Sequence, residues 1–535
     1  MPRSRKPNTI PAAVAAGLAE AEAQARAYER AENPDAVVSP APKAREPVED
    51  RELAFLPLTD LGNAERCAAR QKGQLAYVAA IGWLWWDGRR WCREGADEKV
   101  ALAAHTTARA IQGEAEAIRG TDADIVVDKK RDRSIHLSDK LAGWGRVSEN
   151  SQKLGAMVKH AGPYLSVEAS KLDADPWAIN VANGTILIRR DADVDEDPIR
   201  FVPHDPDRLI TKLAPVEYDP AAICPRYDRF IAEVQPELSM QRFLHAWGGY
   251  SATGSIEEQK LCFYYGKGRN GKSTLVDAWG TVLGDYAETV PIETFVDQGR
   301  GRNAGAATPD LALLPGIRFL RTSEPEKNAK LAESLIKLTT GGEPIQARHL
   351  NRDYFRFRPS FKLTMSGNYR PQISGADEGI WRRVLLVPWS VTVAKPEPHL
   401  AEALAREASG ILNRLLDGLR DYLENGLILP AEIMEATADY RDDSDPLGRF
   451  LADCVEAAPG DRIAARRMHD VYVAWAKASG EHTWTPKGLS HALQERGFRS
   501  IRSNGKWWND HRLIRSEIDF GGDSSPRTPL GDDDG

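Results

Sequence analysis

The stretch Cys262-Phe263-Tyr264-Tyr265-Gly266-Lys267-Gly268-Arg269-Asn270-Gly271-Lys272-Ser273-Thr274 constrains the fold of this chain more than any other. An apolar, β-prone run breaks at a glycine-rich turn and enters Leu275-Val276-Asp277-Ala278-Trp279, a helical pattern. Gly266, Gly271, Lys272 and Ser273 therefore fit G-x-x-x-x-G-K-[ST] in the strand, loop and helix context that motif requires. Glycines let successive N–H groups turn inward at oxygen atoms, and a helix opening at Lys272 adds the positive end of its dipole. Residues 266–274 are expected to cradle a triphosphate, with the Lys272 ammonium at the β- and γ-phosphates and the Ser273 hydroxyl on Mg2+. ATP and Mg2+ are the cofactors this pattern calls for.

A cradle that hydrolyses its ligand also needs a carboxylate for metal or water, a polar sensor of the γ-phosphate and a cation for developing charge. Ile317 to Thr322 reads as a strand, with Ser323-Glu324 at its carboxyl end, where ligands bind in open α/β sheets. Glu324 is the expected acid, orienting metal or water, and Glu326 is the alternative. Phe361 to Ser366 is a second strand-like run ending in Gly367-Asn368, which makes Asn368 the expected sensor. Arg382-Arg383 abuts the apolar strand Val384 to Pro388, and Arg383, with Arg382 as the alternative, is expected to reach a neighbouring subunit's triphosphate. The other reading of Arg383 is a structural ion pair with Asp377 or Glu378. Between acid and sensor, Gly341-Gly342 ends a helix and two extended runs flank a polar turn at Asn351 to Asp353. Arg348, His349 and Arg352 near the tip of that hairpin are expected to grip the phosphates of nucleic acid without reading sequence.

The order Gly-x-x-x-x-Gly-Lys-Ser, Ser-Glu, Ile-Lys-x-Leu-Thr-x-Gly-Gly-Glu, Ala-Arg, Gly-Asn and Ile-Trp-Arg-Arg resembles the superfamily 3 helicases of phage, plasmid and poxvirus primase-helicase proteins. Asn180-Val181-Ala182-Asn183-Gly184, Cys224-Pro225 and the preceding helices resemble the domain that commonly precedes that helicase core. The resemblance implies an α/β P-loop NTPase core of AAA+-like type, assembled as a hexameric ring, that hydrolyses ATP between subunits and translocates on DNA. It also implies a role in replication of a phage, prophage or plasmid, in the cytoplasm of a bacterial host. This sequence departs from the family pattern in having one clear acid at the Walker-B position rather than a pair. It also lacks the amino-terminal polymerase domain of larger relatives, so primer synthesis is expected from a separate primase or polymerase. The alternatives are a primase or primase-helicase component, and a nucleotide-dependent origin-binding or loader protein that does not unwind.

The rest of the chain is expected to divide around that core. At 535 residues and 42% hydrophobic content it has room for three or four units of roughly 150 residues. A net charge of -7 confines nucleic-acid contact to local patches. Its five cysteines stand far apart with no C-x-x-C pair, which excludes a zinc module or disulfide framework and suits a reducing cytoplasm. No signal peptide or membrane-spanning run is expected. Residues 1–52 read as a poorly ordered arm, and 53–216 as an α+β unit with helical patterns near 96–120 and 137–161. In that unit, Trp83, Trp85, Trp86 and Trp91 surround an Asp87-Gly88 hairpin turn, where they either fill a core or stack bases. The pairs Asp122/Asp124, Asp173/Asp175 and Asp191/Asp193 lie in polar turns and read as solvated carboxylates, so no primase site is evident. Residues 217–256 are expected as a helical collar, 257–395 as the core and 396–441 as a helical lid. After a linker near Asp442 to Pro446, residues 445–520 read as a winged-helix-like DNA-binding unit, with Lys487, Arg499, Arg502 and Lys506 in its basic patch. Residues 521–535 read as a disordered tail.

Overall fold

Short apolar strands alternating with helices dictate a parallel sheet buried on both faces, and the computed structural model has one at its centre. It describes residues 48–520 apart from 131–132, 192–195, 298–308, 323, 328, 349–353, 374–377 and 504. The expected arm and tail therefore fall outside the described residues, except that the amino-terminal unit starts earlier than residue 53. Arg70 donates to Asp50 Oδ1 at 2.5 Å, which ties the helical turn Asp50–Leu53 to the first long helix of the unit.

In that unit α1 (Asp60–Gln71), α2 (Ala96–Ile118), α3 (Leu137–Ser148) and α4 (Ser151–Tyr164) pack around an antiparallel sheet of β1 (Leu75–Val78), β2 (Gly82–Trp86) and β3 (Trp91–Cys92). The expected single helix over 137–161 is two, because Asn150 caps α4 by accepting from Lys153 N at 2.9 Å. Trp83 and Trp91 are buried, as a core role requires, whereas Trp85 and Trp86 are half-buried. Arg66 and Glu114 form a fully buried ion pair at 2.7 Å, and carbonyls of Leu53, Leu56 and Pro57 accept from the two terminal guanidinium nitrogens. A second antiparallel sheet, β4 (Ala178–Val181), β5 (Gly184–Ile188) and β6 (Ile199–Val202), carries the Asn183-Gly184 turn. Tyr286 Oη accepts from Asn180 N at 3.0 Å and joins it to the central domain.

Two collar helices, α5 (Pro225–Val234) and α6 (Leu238–Ala252), lead into β7 (Leu261–Tyr265) and α7 (Lys272–Leu283). The sheet is completed by β8 (Ala287–Val290), β9 (Phe319–Thr322), β12 (Lys362–Gly367) and β13 (Val384–Pro388) in the order β8-β9-β12-β7-β13, every pairing parallel. Between β9 and β12 lie α8 (Glu333–Thr340) and a hairpin of β10 (Ile345–Ala347) and β11 (Phe355–Phe357). The β7 side chains alternate between two cores: Cys262 and Tyr264 join the collar side, Leu261 and Phe263 the opposite side. Lys362, fully enclosed on β12, donates to carbonyls of Thr253, Ser255 and Ser360, and burial pushes its ammonium pKa well down. That lysine is a structural tie between the sheet and the turn after α6.

The lid helices α9 (Ala408–Asn425) and α10 (Ala431–Asp443) pack on α6 and β13 respectively. The expected linker contracts almost to nothing: α10 ends at Asp443, and Asp445 caps α11 (Pro446–Cys454) by accepting from Gly448 N at 2.9 Å. Then come β14 (Val455–Ala464), α12 (Ala465–Ala478), α13 (Pro486–Glu495), β15 (Ser500–Arg502) and β16 (Lys506–Leu513), with an antiparallel sheet in the order β14-β16-β15. Nothing in the sequence reading of this unit announced β14. Its Pro459-Gly460-Asp461 core signals a turn, and pairing with β16 absorbs that turn as an irregularity between Ala457 and Arg462. Among the described residues no helix is long and apolar enough to cross a membrane, and all five cysteines are free.

One collar residue makes a pH prediction. His245 on α6 is held against Tyr227 with its Nε2 buried and without a partner, and burial foremost, then Arg414, pushes its pKa down to about 4. Asp228 and Asp417 act weakly in the opposite sense. The unfolded chain takes up this proton near pH 6.5, so the contribution is complete above that value and is lost as pH falls towards about 4. Differential calorimetry of His245→Phe should show weaker acid destabilisation than wild type in that window, by up to roughly 3 kcal/mol. Parallel acid profiles would refute it.

Candidate nucleotide site at the carboxyl ends of the parallel strands

The chain leaves β7 for the far edge of the sheet at β8, while β13 lies on the other side of β7. Such a reversal opens a crevice outside the carboxyl ends of the strands. The loop 266–271 occupies that place. Arg269 and Gly271 both have left-handed backbones, φ 62 and 84, flanking Asn270, a pattern that turns successive N–H groups to one side as an anion nest. Gly271 ends the loop, and α7 opens at the next residue with its first-turn donors toward the same crevice.

Side chains from three strand ends converge here. Asn270, 3% exposed, donates to Lys267 O at 2.6 Å and Trp389 O at 3.2 Å, and its Oδ1 accepts from Lys272 Nζ at 3.0 Å. Lys272 Nζ also donates to Gly266 O at 2.6 Å and Asn368 Oδ1 at 3.4 Å. Asn368 N in turn donates to Glu324 Oε1 at 2.6 Å. The lysine is 5% exposed; burial lowers its pKa and the charge of Glu324 opposes that. Of the two candidate acids, Glu324 is therefore the one brought to the lysine, while Glu326 lies exposed in the turn beyond it. Ser273 is exposed in the first turn of α7 and Thr274 is half-buried; Lys267, Gly268 and Arg269 form the exposed crest of the loop. Among the described residues no group of three or more His, Cys, Asp or Glu side chains gathers for a metal. A Mg2+ here would fit the mode in which a hydroxyl and a carboxylate, such as those of Ser273 and Glu324, are joined by phosphate oxygens.

Arg383 stands apart from the loop. It lies at the amino end of β13, opposite the loop, and is 7% exposed. Its guanidinium is engaged within its own chain, donating to Thr340 Oγ1 at 3.0 Å and to Gly379 O, with Gln259 Oε1 at 3.5 Å. Glu378, an expected partner, pairs instead with Arg441, and Asp377 lies outside the described residues. Arg382 is the exposed member of the pair.

Of the expected nucleic-acid contacts, Arg348 follows β10 with its guanidinium 4.9 Å from the Tyr354 ring centroid, and His349 and Arg352 lie outside the described residues. In the carboxyl-terminal unit Lys487, Arg499 and Arg502 are exposed, while Lys506 is half-buried with its ammonium 4.3 Å from the Trp508 ring centroid. Arg496 and Arg512 of the same basic run are paired with Asp445 and Glu456. Sequence reasoning missed Trp389, whose carbonyl braces the loop. Its place directly after β13 was the available signal, since strand ends on either side of the loop strand must frame the crevice.

Fold and site together define a mixed α/β protein in which a glycine loop, a buried lysine, an amide and a carboxylate meet at the ends of parallel strands. The family described as D5 N terminal like matches residues 64–236, running from α1 through α5. The chain is 28% identical over 243 residues to "Putative helicase L207/L206" of Acanthamoeba polyphaga mimivirus, covering 42% of this chain and 25% of that one. It is 23% identical over 369 residues to "Putative primase C962R" of African swine fever virus (isolate Tick/Malawi/Lil 20-1/1983), covering 64% of this chain and 37% of that one. Each match thus spans well under half of the relative's length. Among solved structures, the apo NrS-1 C-terminal region aligns at a TM-score of 0.38 and 10% identity over 62% of this chain and 94% of that one. The resemblance to the superfamily 3 primase-helicases is borne out by the D5 N-terminal-like match and by relatives named for helicase and primase.

Proposed function

We propose that this chain is an ATP-driven DNA translocase or helicase that works as a ring, with each triphosphate site completed by a neighbouring subunit. The observation that carries the reading is the convergence of Lys272, Asn368 and Glu324 on a glycine loop at the carboxyl ends of adjoining strands. The loop's left-handed turns and the α7 N-terminus supply the backbone donors that phosphates need. Bound Mg2+-ATP would supply the transferable phosphoryl group and the metal charge that polarises it. Lys272 exchanges its internal oxygen partners for phosphate oxygens, Asn368 holds the attacking water, and Glu324 orients water or metal. The core is AAA+-like and the carboxyl-terminal unit a winged-helix-like DNA contact in this reading, with the β10–β11 hairpin gripping the strand in the bore. A separate primase or polymerase would supply primers.

Arg382 replaces Arg383 as the cation acting in trans. It is exposed at the end of the sheet opposite the loop, and a head-to-tail ring brings two different faces of the subunit together. Arg382→Ala is expected to bind nucleotide normally and to lose about 10³-fold in turnover. Arg383→Ala should lower the melting temperature instead. If Arg382→Ala turns over like wild type, the assignment falls. The overall reading is tested by ATP hydrolysis with and without forked DNA, together with strand displacement. A folded chain that consumes no ATP in the presence of DNA contradicts it.

A further inference from the structure

A cleft of about 1960 Å³ separates the β2–β3 hairpin of the amino-terminal unit from the β10–β11 hairpin of the central domain. It is larger than a pocket for one small ligand, which is typically ~300–1,000 Å³. Seven arginine and lysine side chains line it against two carboxylates, those of Glu94 and Asp173, although the chain as a whole carries a net charge of -7. Asp173 is occupied, accepting from Thr211 N at 2.8 Å and from Thr211 Oγ1.

Several of those cations lack a counter-charge. Arg318 is 4% exposed, donates to the carbonyls of Ala252 and Asp175 and stands 4.3 Å from the Tyr286 ring centroid, so its charge meets dipoles and a ring rather than an acid. Arg356 and Arg358 are exposed on and beside β11 and make no ion pair among the described residues. Aromatic rings stand among them. Trp85 is half-buried and fixed by its indole N–H donating to Glu94 O at 2.8 Å, with the Lys99 ammonium 4.5 Å from the ring centroid. On the opposite wall Tyr354 is 44% exposed beside the Arg348 guanidinium.

Exposed cations without a carboxylate partner, Arg356 and Arg358, beside the fixed ring of Trp85 and the exposed ring of Tyr354 fit a polyanion whose flat groups are free to stack. A duplex hides the faces of its bases, whereas a single strand presents them. We propose that this cleft is a single-strand DNA track shared by the two domains, with bases on Trp85 and Tyr354 and the backbone along Arg356 and Arg358. The amino-terminal unit is then a wall of the DNA path and not a spacer. The inference deepens the translocase reading and rests on it for the choice of DNA as the polynucleotide.

The test is fluorescence anisotropy of the full chain with a labelled oligothymidylate, without nucleotide, over a salt series. Trp85→Ala and Tyr354→Ala are each expected to weaken binding by roughly 5-fold or more, with the salt slope unchanged and Trp85→Phe restoring most of the loss. Arg356→Ala should weaken binding and reduce the slope by about 0.7. Arg146→Ala, an exposed cation on α3, should bind as wild type. Photo-cross-linking of a bromodeoxyuridine oligonucleotide should label Trp85 or Tyr354, a readout independent of any folding defect in the variants. The inference is overturned if wild type binds the strand but all three cleft variants match it, or if cross-links fall solely within residues 445–520. It is also overturned if duplex binds as tightly as single strand and is equally sensitive to Trp85. Failure of ATP hydrolysis would remove the translocase reading and leave these binding results standing.

Discussion

Lys272→Ala is expected to reduce ATP hydrolysis by at least ~10²–10³-fold and to weaken nucleotide binding as well. The ammonium stands at the meeting point of Gly266 O, Asn270 Oδ1 and Asn368 Oδ1. A truncated side chain offers phosphate no charge and leaves those oxygens without their donor. Some loss of order in the loop should result, so the informative companion is Glu324→Gln. Its amide oxygen still accepts from Asn368 N, and the carboxylate charge alone is removed. That variant should bind nucleotide nearly as wild type while turnover falls by a similar factor. Affinity by a fluorescent nucleotide analogue and turnover by phosphate release separate the two effects. Hydrolysis surviving in Lys272→Ala would show that the crevice is not the site of chemistry.

The second large effect is on folding. Helices α6 and α9 cross almost backbone to backbone, and a Cβ on Gly249 would sit 2.1 Å from Leu415 O and 2.6 Å from Leu419 N. Gly418 returns the contact, its own Cβ position being 2.1 Å from His245 O. Backbone cannot rotate away as a side-chain tip does, so Gly249→Ala must separate the helices. A loss of about 3 kcal/mol or more is expected. The damage should reach the loop, because Trp247 on α6 donates to Thr364 of β12 at 3.0 Å and Gly248 packs on Trp279 of α7. Gly155→Ala is the control: a Cβ there meets open space within α4, and the exchange should be neutral or stabilising by ~0.5–1 kcal/mol. Calorimetry should show a melting temperature lowered by several degrees for Gly249→Ala and not for Gly155→Ala. Equal melting of the two would mean that the crossing is not close.

How much could be read in advance depends on the range of the physics involved. The strands after Leu261, Ile317, Phe361 and Arg383 were legible because strands buried on both faces are continuous apolar runs, and no other local conformation uses Val384-Leu385-Leu386-Val387 so well. The Asp87-Gly88 turn announced its hairpin through local backbone preference. β14 escaped because its turn-like residues become a strand solely through pairing with β16, some fifty positions away. The linker expected near Asp445 vanished for a similar reason, since the same residues that signal a break also cap helices.

By itself, the sequence determined the glycine loop with its lysine, the strand ends that would bear the acid and the amide, and the hairpin between them, all of them features set by residues close in the chain. Tertiary structure decided that Glu324 and not Glu326 meets Asn368, that Arg383 turns inward to Thr340 while Arg382 is exposed, and that Trp85 and Arg356 share one cleft. These outcomes depend on which distant segments supply oxygen atoms, rings and space. Charge and aromatic character are written in the chain, but their partners are fixed by the order in which the strands assemble.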